Sequence, residues 1–489
     1  MSHDKGSHRS ELHAIAHRAM LERGLSPDFE PAVLSEVAGL PSAPPADAAA
    51  RDLTALPWIS IDNDDSRDLD QVSVAERLGD GGIKVLVGIA DVDVLVRDGS
   101  ATDGHARVNT TSVYTAGGTF TMLPERLSFD LTSLNEDEER LAVIIEMVIG
   151  AGGEVTSSGI TRARVRNRAR LSYNAVAAWL DGKGEAPERI TSVPGIADQV
   201  RMQDEAAQRI KKLRHEQGSL SLQSIEPRPV FDGAALIDLK AEKPNRAKEL
   251  IENLMVAANG ATARFLEAKG VASLRRVVKE PARWSRIVEV AAQYGEALPP
   301  EPDSRALSLF LAKRRQADPL RFPDLSLVIV KLLGPGEYAV ERPGETAPGH
   351  FGLAVRDYTH STAPNRRYPD LITQRLLKSV LSGAPPAYPA DVLDELARHC
   401  TQKENDANKV ERRLEKSAAA LLLSSRIGDT FDSVITGASE KGTWARIFAP
   451  PVEGRVVRGF KDLDVGDRVQ VRLLDTDVEQ GYIDFARVR

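Results

Sequence analysis

The sequence predicts an α+β protein whose last segment is a small all-β barrel. Strand patterns dominate from about residue 55 to 175, helical periods replace them as far as about residue 300, and five short strands follow residue 428. Five strands within about sixty residues are typical of a small closed barrel. A chain of 489 residues is long enough for several domains. We expect three, covering 1–50, 51–427 and 428–489.

The first predicted region is a short helical segment followed by a linker. Apolar residues recur at helical spacing from Leu12 to Met20, and Ser26-Pro27 is expected to open a second short helix. Two helices bury little surface alone, so we expect them to dock on the main body or to form a helix-turn-helix-like unit. The proline-rich run 41–45 predicts the linker.

The composition predicts a cytoplasmic protein without a membrane segment. The net charge of −7 argues against a chain coated in positive charge, so any contact with nucleic acid must come from local basic patches. The single Cys400 cannot form an internal disulfide, which fits a reducing compartment. No apolar stretch approaches the ~20 residues of a membrane span, and the first residues lack a signal-peptide core.

A dense acidic cluster lies between the first two predicted strands of the mixed region, at the mouth of a hairpin. Like charges this close repel one another and stay ionised only if a cation offsets the repulsion. Oxygen ligands suit a hard metal such as magnesium or manganese. A calcium EF-hand is excluded because Arg67 stands where that loop needs glycine, whereas a solvated acidic turn remains an alternative. The carboxylates are those of Asp62, Asp64, Asp65, Asp68 and Asp70.

A row of arginines precedes the first long helical stretch. Because they occupy every second position, a strand here would place all of the guanidinium groups on one side. Such a row favours contact with a phosphate backbone, and a solvated face of mixed charge is the alternative. The row consists of Arg162, Arg164, Arg166, Arg168 and Arg170.

Two motifs about 290 residues apart resemble the ribonuclease II (RNB) exoribonuclease family. Residues 61–71 are similar to the family signature of Ile-Asp, five residues, then Asp-x-Asp-Asp. Residues 350–353 and 358–371 are similar to its His-Phe-Gly-Leu and Tyr-Thr-His-x-Thr-Ser-Pro-Ile-Arg-Arg-Tyr-x-Asp-Leu motifs. The chain departs from these patterns at Gln71, Ala363 and Asn365.

The resemblance implies a hydrolytic, processive 3′-to-5′ exoribonuclease that releases 5′-mononucleotides in RNA turnover, with one or two magnesium ions, or manganese, as cofactor. Asp62 and Asp68 would then bind metal, Asp70 would bind metal and place the attacking water, and Gln71 would be a neutral fourth ligand. Arg366 would stabilise charge in the transition state. The alternatives are a catalytically weak or silent RNA-binding protein of the same fold, because of Gln71, and an unrelated phosphohydrolase acting on small molecules.

The resemblance also implies several RNA contacts. Tyr173 would stack on a terminal base, Tyr114 would contact the RNA, and Glu252 would lie near it. Arg367 would either contact RNA or form a salt bridge with the acidic cluster. Of the two glutamates four residues apart on one long helix, Glu415 is expected to reach the active centre.

The terminal barrel resembles the OB-fold RNA-binding domain of the ribosomal S-one type. Trp444 and Phe448 would stack on bases and Arg446 would bind phosphate, although aromatic side chains in so small a barrel are as often core residues. The family usually carries cold-shock domains before the catalytic one, and 1–50 is too short for them. We therefore expect a short form that acts on single-stranded RNA and on structured RNA with a 3′ end. The resemblance also implies that it acts as a monomer.

Overall fold

The computed structural model describes residues 8–42, 47, 49–223, 227–241, 244–319 and 321–488. Its helices are α1 (His8–Glu22), α2 (Pro31–Ala38), α3 (Ala101–Asn109), α4 (Tyr173–Leu180), α5 (Glu188–Ser192), α6 (Ile196–Glu216), α7 (Arg246–Ala268), α8 (Trp284–Gln293), α9 (Ser304–Ala317), α10 (Phe322–Leu333), α11 (Tyr368–Ser382) and α12 (Ala390–Leu423).

The strands are β1 (Arg51–Asp52), β2 (Trp58–Asp62), β3 (Gln71–Arg77), β4 (Ile83–Ala90), β5 (Val113–Thr115), β6 (Gly118–Phe120), β7 (Glu139–Ile149), β8 (Val155–Ser172), β9 (Pro227–Asp232), β10 (Ala235–Ala241), β11 (Ser273–Val277), β12 (Glu337–Glu341), β13 (Thr430–Ser439), β14 (Gly442–Ile447), β15 (Glu453–Arg458), β16 (Arg468–Asp477) and β17 (Tyr482–Arg487).

The main sheet has the order β1-β8-β2-β3-β4-β7, and β7 also pairs with β8. Most neighbours are antiparallel, whereas β1 and β2 run parallel to β8. Alternate residues of the strands supply two separate apolar cores: Val72 and Val74 pack on the side of α11 and α12, and Ala75 packs on the side of α6 and α7. The sheet is therefore covered by helices on both faces, and the predicted α+β class is confirmed.

The last part of the chain is a closed barrel with the order β13-β14-β15-β17-β16. Its interior is filled by side chains that alternate with exposed ones along each strand, among them Ala445, Ile447 and Phe485. The end of α12 contributes Ala420 and Leu423 to the same apolar cluster, which attaches the barrel to the preceding domain. The predicted small barrel is confirmed.

The two N-terminal helices dock on different parts of the body and do not form one helix-turn-helix unit. α1 packs on α12, whereas α2 packs on α3. The second helix begins at Pro31 and not after Pro27, because the amide of Ser26 is bonded to Asn109 Oδ1 and the chain there is irregular. Much of the predicted linker lies outside the described residues. Among the helices that are described, none is long and apolar enough to cross a membrane.

Candidate active site

The acidic cluster lies in the connection between β2 and β3. Asp62 ends β2, where its Oδ1 accepts a hydrogen bond from the Asn63 amide at 2.7 Å. Asp70 directly precedes β3. The returning chain is fixed by the Leu69 amide, which donates to Ser133 Oγ at 3.0 Å, and by the Leu69 carbonyl, which accepts from the Leu134 amide at 2.9 Å. The carboxylates are thus presented from a constrained connection.

Asp70 joins the acidic cluster to the loop before α11, so the two motifs meet in space. Its side chain is 2% exposed. Oδ1 accepts from the Asn365 amide at 3.1 Å, and Oδ2 accepts from Arg366 Nε at 3.0 Å. The Arg366 side chain remains 41% exposed, so part of its guanidinium faces solvent while Nε holds the carboxylate. A buried acid and a half-exposed arginine therefore form the centre of the site.

The acidic cluster carries negative charge that the protein compensates only in part. Burial raises the pKa of Asp70 to about 7; the positive charge of Arg366 opposes this rise and the negative charge of Asp68 adds to it. Burial also raises the pKa of Asp62, and repulsion from Asp68 adds to this rise. A site of this kind favours either a proton or a bound cation.

The donor set of the cluster fits a hard cation by its chemistry, since the three aspartates offer only oxygen ligands. Within the described ranges, however, no three His, Cys, Asp or Glu side chains are grouped closely enough to hold a metal ion. Both oxygens of Asp70 are bonded to the loop before α11. Along β3, Gln71 shares a face with Ser73, whose hydroxyl contacts Gln203 of α6. Metal binding by Gln71 stays a prediction.

Two predicted tyrosines border the cluster. The Tyr114 hydroxyl donates to Asp68 Oδ2 at 3.3 Å. Tyr173 begins α4, and the ammonium of Lys248 lies 5.6 Å from the centre of its ring. Burial raises the pKa of both phenols, with further contributions from Asp68 at Tyr114 and from Asp62 at Tyr173. Both side chains are thus close to the carboxylates and stay protonated at neutral pH.

Glu411 on α12 is a site contact that the sequence analysis did not select. Its Oε1 accepts a hydrogen bond from the Tyr114 amide at 2.9 Å. Glu415, the residue that was predicted to reach the centre, is exposed one turn further along α12. The spacing of four residues marked both glutamates, but only the position of the β5–β6 hairpin against α12 distinguishes them.

Arg367 forms a salt bridge, but not with the acidic cluster. Its Nη2 lies 2.7 Å from Oδ1 of Asp370, three residues further along and fully buried in the first turn of α11. The predicted salt bridge to the cluster is therefore wrong, because the nearer carboxylate of Asp370 pairs with this guanidinium. A contact between Arg367 and RNA stays a prediction.

The arginine row lies on β8 with all five side chains on the less buried face, as the alternation predicts. The guanidinium groups are nevertheless engaged within the protein, so the row is not a free cationic surface. The partners include Asp47 and Asp91 for Arg162, Asp52 and Glu139 for Arg164, Glu139 for Arg166, the Thr54 carbonyl for Arg168 and the Asp64 and Ser66 carbonyls for Arg170.

The predicted barrel residues Trp444 and Arg446 lie on the less buried face of β14, Phe448 directly follows the strand, and the three differ in exposure. Phe448 is 47% exposed, whereas Trp444 is half-buried and packs over Gly437. Arg446 pairs with Asp324 of α10 at 2.6 Å and is 12% exposed. The Arg446 guanidinium is therefore paired within the contact between the barrel and the preceding domain. This pairing argues against its predicted role as a phosphate ligand.

Glu252 lies on the exposed side of α7, 3.6 Å from the guanidinium of Arg214. Both residues line a cavity of about 480 Å³. Lys248, which approaches the Tyr173 ring, and Arg315 also line this cavity. The cavity therefore begins next to one of the tyrosines that border the acidic cluster and has several basic side chains in its wall.

Comparison with known protein families gives the class of the chain. The family model for the RNB domain matches residues 50–383, and the model for the RNase II-type exonuclease C-terminal S1 domain matches residues 429–488. The first match covers more than half of the chain. The chain belongs to the RNB family.

Its relatives include proteins named Ribonuclease R. The chain is 30% identical to Ribonuclease R of Escherichia coli (strain K12), over 94% of this chain and 60% of that protein. It is also 30% identical to Ribonuclease R of Aquifex aeolicus (strain VF5), over 93% of this chain and 67% of that protein. The chain thus spans about two thirds or less of the length of these relatives.

A solved structure shares the fold. Mycoplasma genitalium RNase R in complex with ribose methylated single-stranded RNA superimposes with a TM-score of 0.87 at 24% identity. The match covers 98% of this chain and 78% of that chain. The described arrangement of main sheet, helices and terminal barrel is therefore that of a known RNB-family structure.

Proposed function

We propose that this chain is a hydrolytic, processive 3′-to-5′ exoribonuclease that releases 5′-mononucleotides from RNA. The observation that carries the proposal is the contact of buried Asp70 with Arg366 and the Asn365 amide, which joins two distant motifs into one centre. Membership of the RNB family and the name of the relatives support it. The substrate would be single-stranded RNA, or structured RNA with a 3′ end.

Asp62, Asp68 and Asp70 are the residues that would hold magnesium, with manganese as the alternative. When bound, a hard divalent cation supplies activation of water and neutralisation of the leaving oxygen. Asp70 orients the water that attacks the phosphorus atom. Arg366 keeps Asp70 oriented through Nε and offers its exposed N–H groups to the phosphoryl oxygens as charge develops on them.

The tyrosines near the carboxylates give the proposed enzyme a hold on RNA that does not depend on sequence. Stacking of a base on an aromatic ring is worth roughly 1–3 kcal/mol and tolerates any base. Tyr173, near Asp62, would stack on the terminal base, and Tyr114, beside Asp68, would contact the RNA. The exposed Phe448 would extend the path onto the barrel. In this proposal residues 51–427 form the catalytic domain and 428–489 the RNA-binding domain.

The proposal is tested with 5′-labelled poly(A) and the purified chain in magnesium. We expect full-length RNA to be converted from its 3′ end to short end products without a ladder of intermediates, with release of 5′-AMP, and loss of both when a chelator is added. A parallel substrate with a blunt duplex measures whether structured RNA is trimmed. Poly(A) that is bound but never shortened would instead support the silent RNA-binding alternative, for which Gln71 in place of the fourth acid is the reason.

A further inference from the structure

Helix α1 lies outside both segments that the family models match, which are 50–383 and 429–488. It nevertheless packs against the β5–β6 hairpin, which carries Tyr114. The buried face of α1, including Leu12, Ile15 and Met20, forms one apolar cluster with Val113 and Phe120 of the hairpin. The helix thus contacts an element that reaches the active site.

The contact between α1 and the hairpin is close and specific. The His13 ring stacks on Phe120 with the ring centres 4.8 Å apart and the planes 5° from parallel. At the hairpin turn, a Cβ added to Gly117 would lie 2.4 Å from the backbone nitrogen of His13. Only glycine allows this approach without a shift of the backbone, so the helix fixes the position of the turn.

Residues 110–114, which lead into and form the first strand of the hairpin, contact both the acidic cluster and the loop before α11. The Tyr114 hydroxyl donates to Asp68, and the Ser112 amide donates to the carbonyl oxygen of Arg366 at 3.0 Å. The Thr110 carbonyl accepts from the Tyr368 amide at 2.8 Å, where α11 begins. A displacement of the hairpin would therefore alter the placement of the acidic cluster relative to Arg366.

Helix α1 is itself bonded to three other elements of the fold. Glu22 at its end pairs with Arg413 of α12 at 2.7 Å, and Arg18 pairs with Glu479 in the barrel turn between β16 and β17 at 2.6 Å. At its start, the Arg9 amide donates to the Ala234 carbonyl in the β9–β10 turn at 3.2 Å. The helix is anchored to three other elements and so provides a fixed support.

We infer that α1 is a positioning element of the active site, which holds the β5–β6 hairpin so that the Tyr114 hydroxyl meets Asp68. This inference rests on the proposed exoribonuclease function. If α1 only stabilised the fold, changes at its contact with the hairpin would lower stability without acting through Tyr114. A double-mutant cycle separates these two cases.

The cycle combines Gly117→Ala, which forces the turn away from α1, with Tyr114→Phe, which removes the hydroxyl at Asp68. We expect Gly117→Ala to lower kcat about tenfold in the otherwise unchanged chain and less than about twofold in the Tyr114→Phe chain. Gly104→Ala on α3 is the matched control, because a Cβ there meets nothing within 4 Å. An equal loss in both backgrounds, or no loss in either, overturns the inference.

A milder variant covers the case in which Gly117→Ala does not fold. His13→Ala removes the stacked ring but leaves room for the turn. Hydrogen exchange of the amides at 113–120 in the full chain should become faster in this variant, with kcat reduced and the melting temperature close to that of the unchanged chain. Unchanged exchange and unchanged kcat overturn the inference. Absence of nucleotide release by the unchanged chain would instead count against the proposed function alone.

Discussion

Two runs of like charge in this chain, the aspartates at 62–70 and the arginines at 162–170, are treated differently by the fold. The acidic run stays poorly compensated, and burial raises the pKa of Asp70 to about 7 even though Arg366 is bonded to it. The arginine row is bonded to carboxylates and carbonyls of neighbouring elements. Three of these arginines, Arg162, Arg164 and Arg166, are paired with carboxylates, so density of charge does not mark a site by itself.

The difference follows from where each run lies. The arginines are in β8, within the main sheet, where Asp52 of β1 stands opposite Arg164 and Glu139 of β7 stands opposite Arg166. Cross-strand pairs of opposite charge stabilise a sheet by a few tenths of a kcal/mol to about 1 kcal/mol each. Asp62 at the end of β2 stands opposite Ser172 of β8, and the other aspartates lie in the connection between β2 and β3.

The change with the largest expected effect is Asp70→Asn. It keeps the shape of the side chain but removes the charge that Arg366 holds, so kcat for release of mononucleotides should fall more than about a thousandfold. Single-turnover rates on poly(A) measure this. The variant should still bind RNA, because Tyr114 and Tyr173 are unchanged. A loss of less than about tenfold would show that the acidic cluster is not the catalytic centre.

Arg366→Ala should have the next largest effect. The guanidinium both orients Asp70 and faces solvent, and its loss should lower kcat about a hundredfold with a smaller change in KM. Arg366→Lys serves as the control, since it restores the positive charge but not the planar pair of donors. Full activity in the lysine variant would mean that charge alone is needed and that the bonded geometry is irrelevant.

The raised pKa of Asp70 predicts how stability changes with pH in the presence of a chelator. The folded-state pKa of about 7 lies above the ordinary value of 3.8, so the folded state binds more protons than the unfolded state between these values. The free energy of unfolding should therefore decrease as pH rises from about 4 to about 7 through this group. Denaturant melts should give a shallower decrease for Asp70→Asn. Identical slopes would contradict the proposed lack of compensation.

The smallest effect is expected for the double variant Arg164→Gln/Arg166→Gln. Because both side chains are paired with Asp52 and Glu139, kcat/KM should stay within about threefold of the unchanged chain. The dependence of RNA affinity on salt should also change little. A steep loss of affinity with a shallower salt dependence would show that these arginines do contact phosphate, and the comparison between the two runs would fail.

Much of the fold and the centre of the site could be predicted from the sequence. The alternation of apolar residues predicted the strands and the terminal barrel, and the two motifs predicted that Asp70 and Arg366 belong together. These features depend on local pattern or on motifs that retain their spacing. The start of the second helix was placed too early because the amide of Ser26 is bonded to a residue more than 80 positions away.

What the sequence did not reveal depends on long-range packing. Glu411 was not selected from the sequence because its contact with the Tyr114 amide depends on where the β5–β6 hairpin lies against α12. The partner of Arg446 is Asp324, on a helix of the preceding domain. Likewise, nothing in the sequence near Arg164 indicates that Asp52 and Glu139 flank it in the sheet. Each of these pairs is fixed by tertiary structure and not by local sequence.

The melting temperature during a magnesium titration at pH 8 tests the central claim most directly, that the acidic cluster carries charge for a cation to balance. A ligand that binds only the folded state raises this temperature. The unchanged chain and Arg164→Gln/Arg166→Gln should both show a rise that saturates, and Asp70→Asn should show a much smaller one. No rise in the unchanged chain, or an equal rise in all three, would contradict the account.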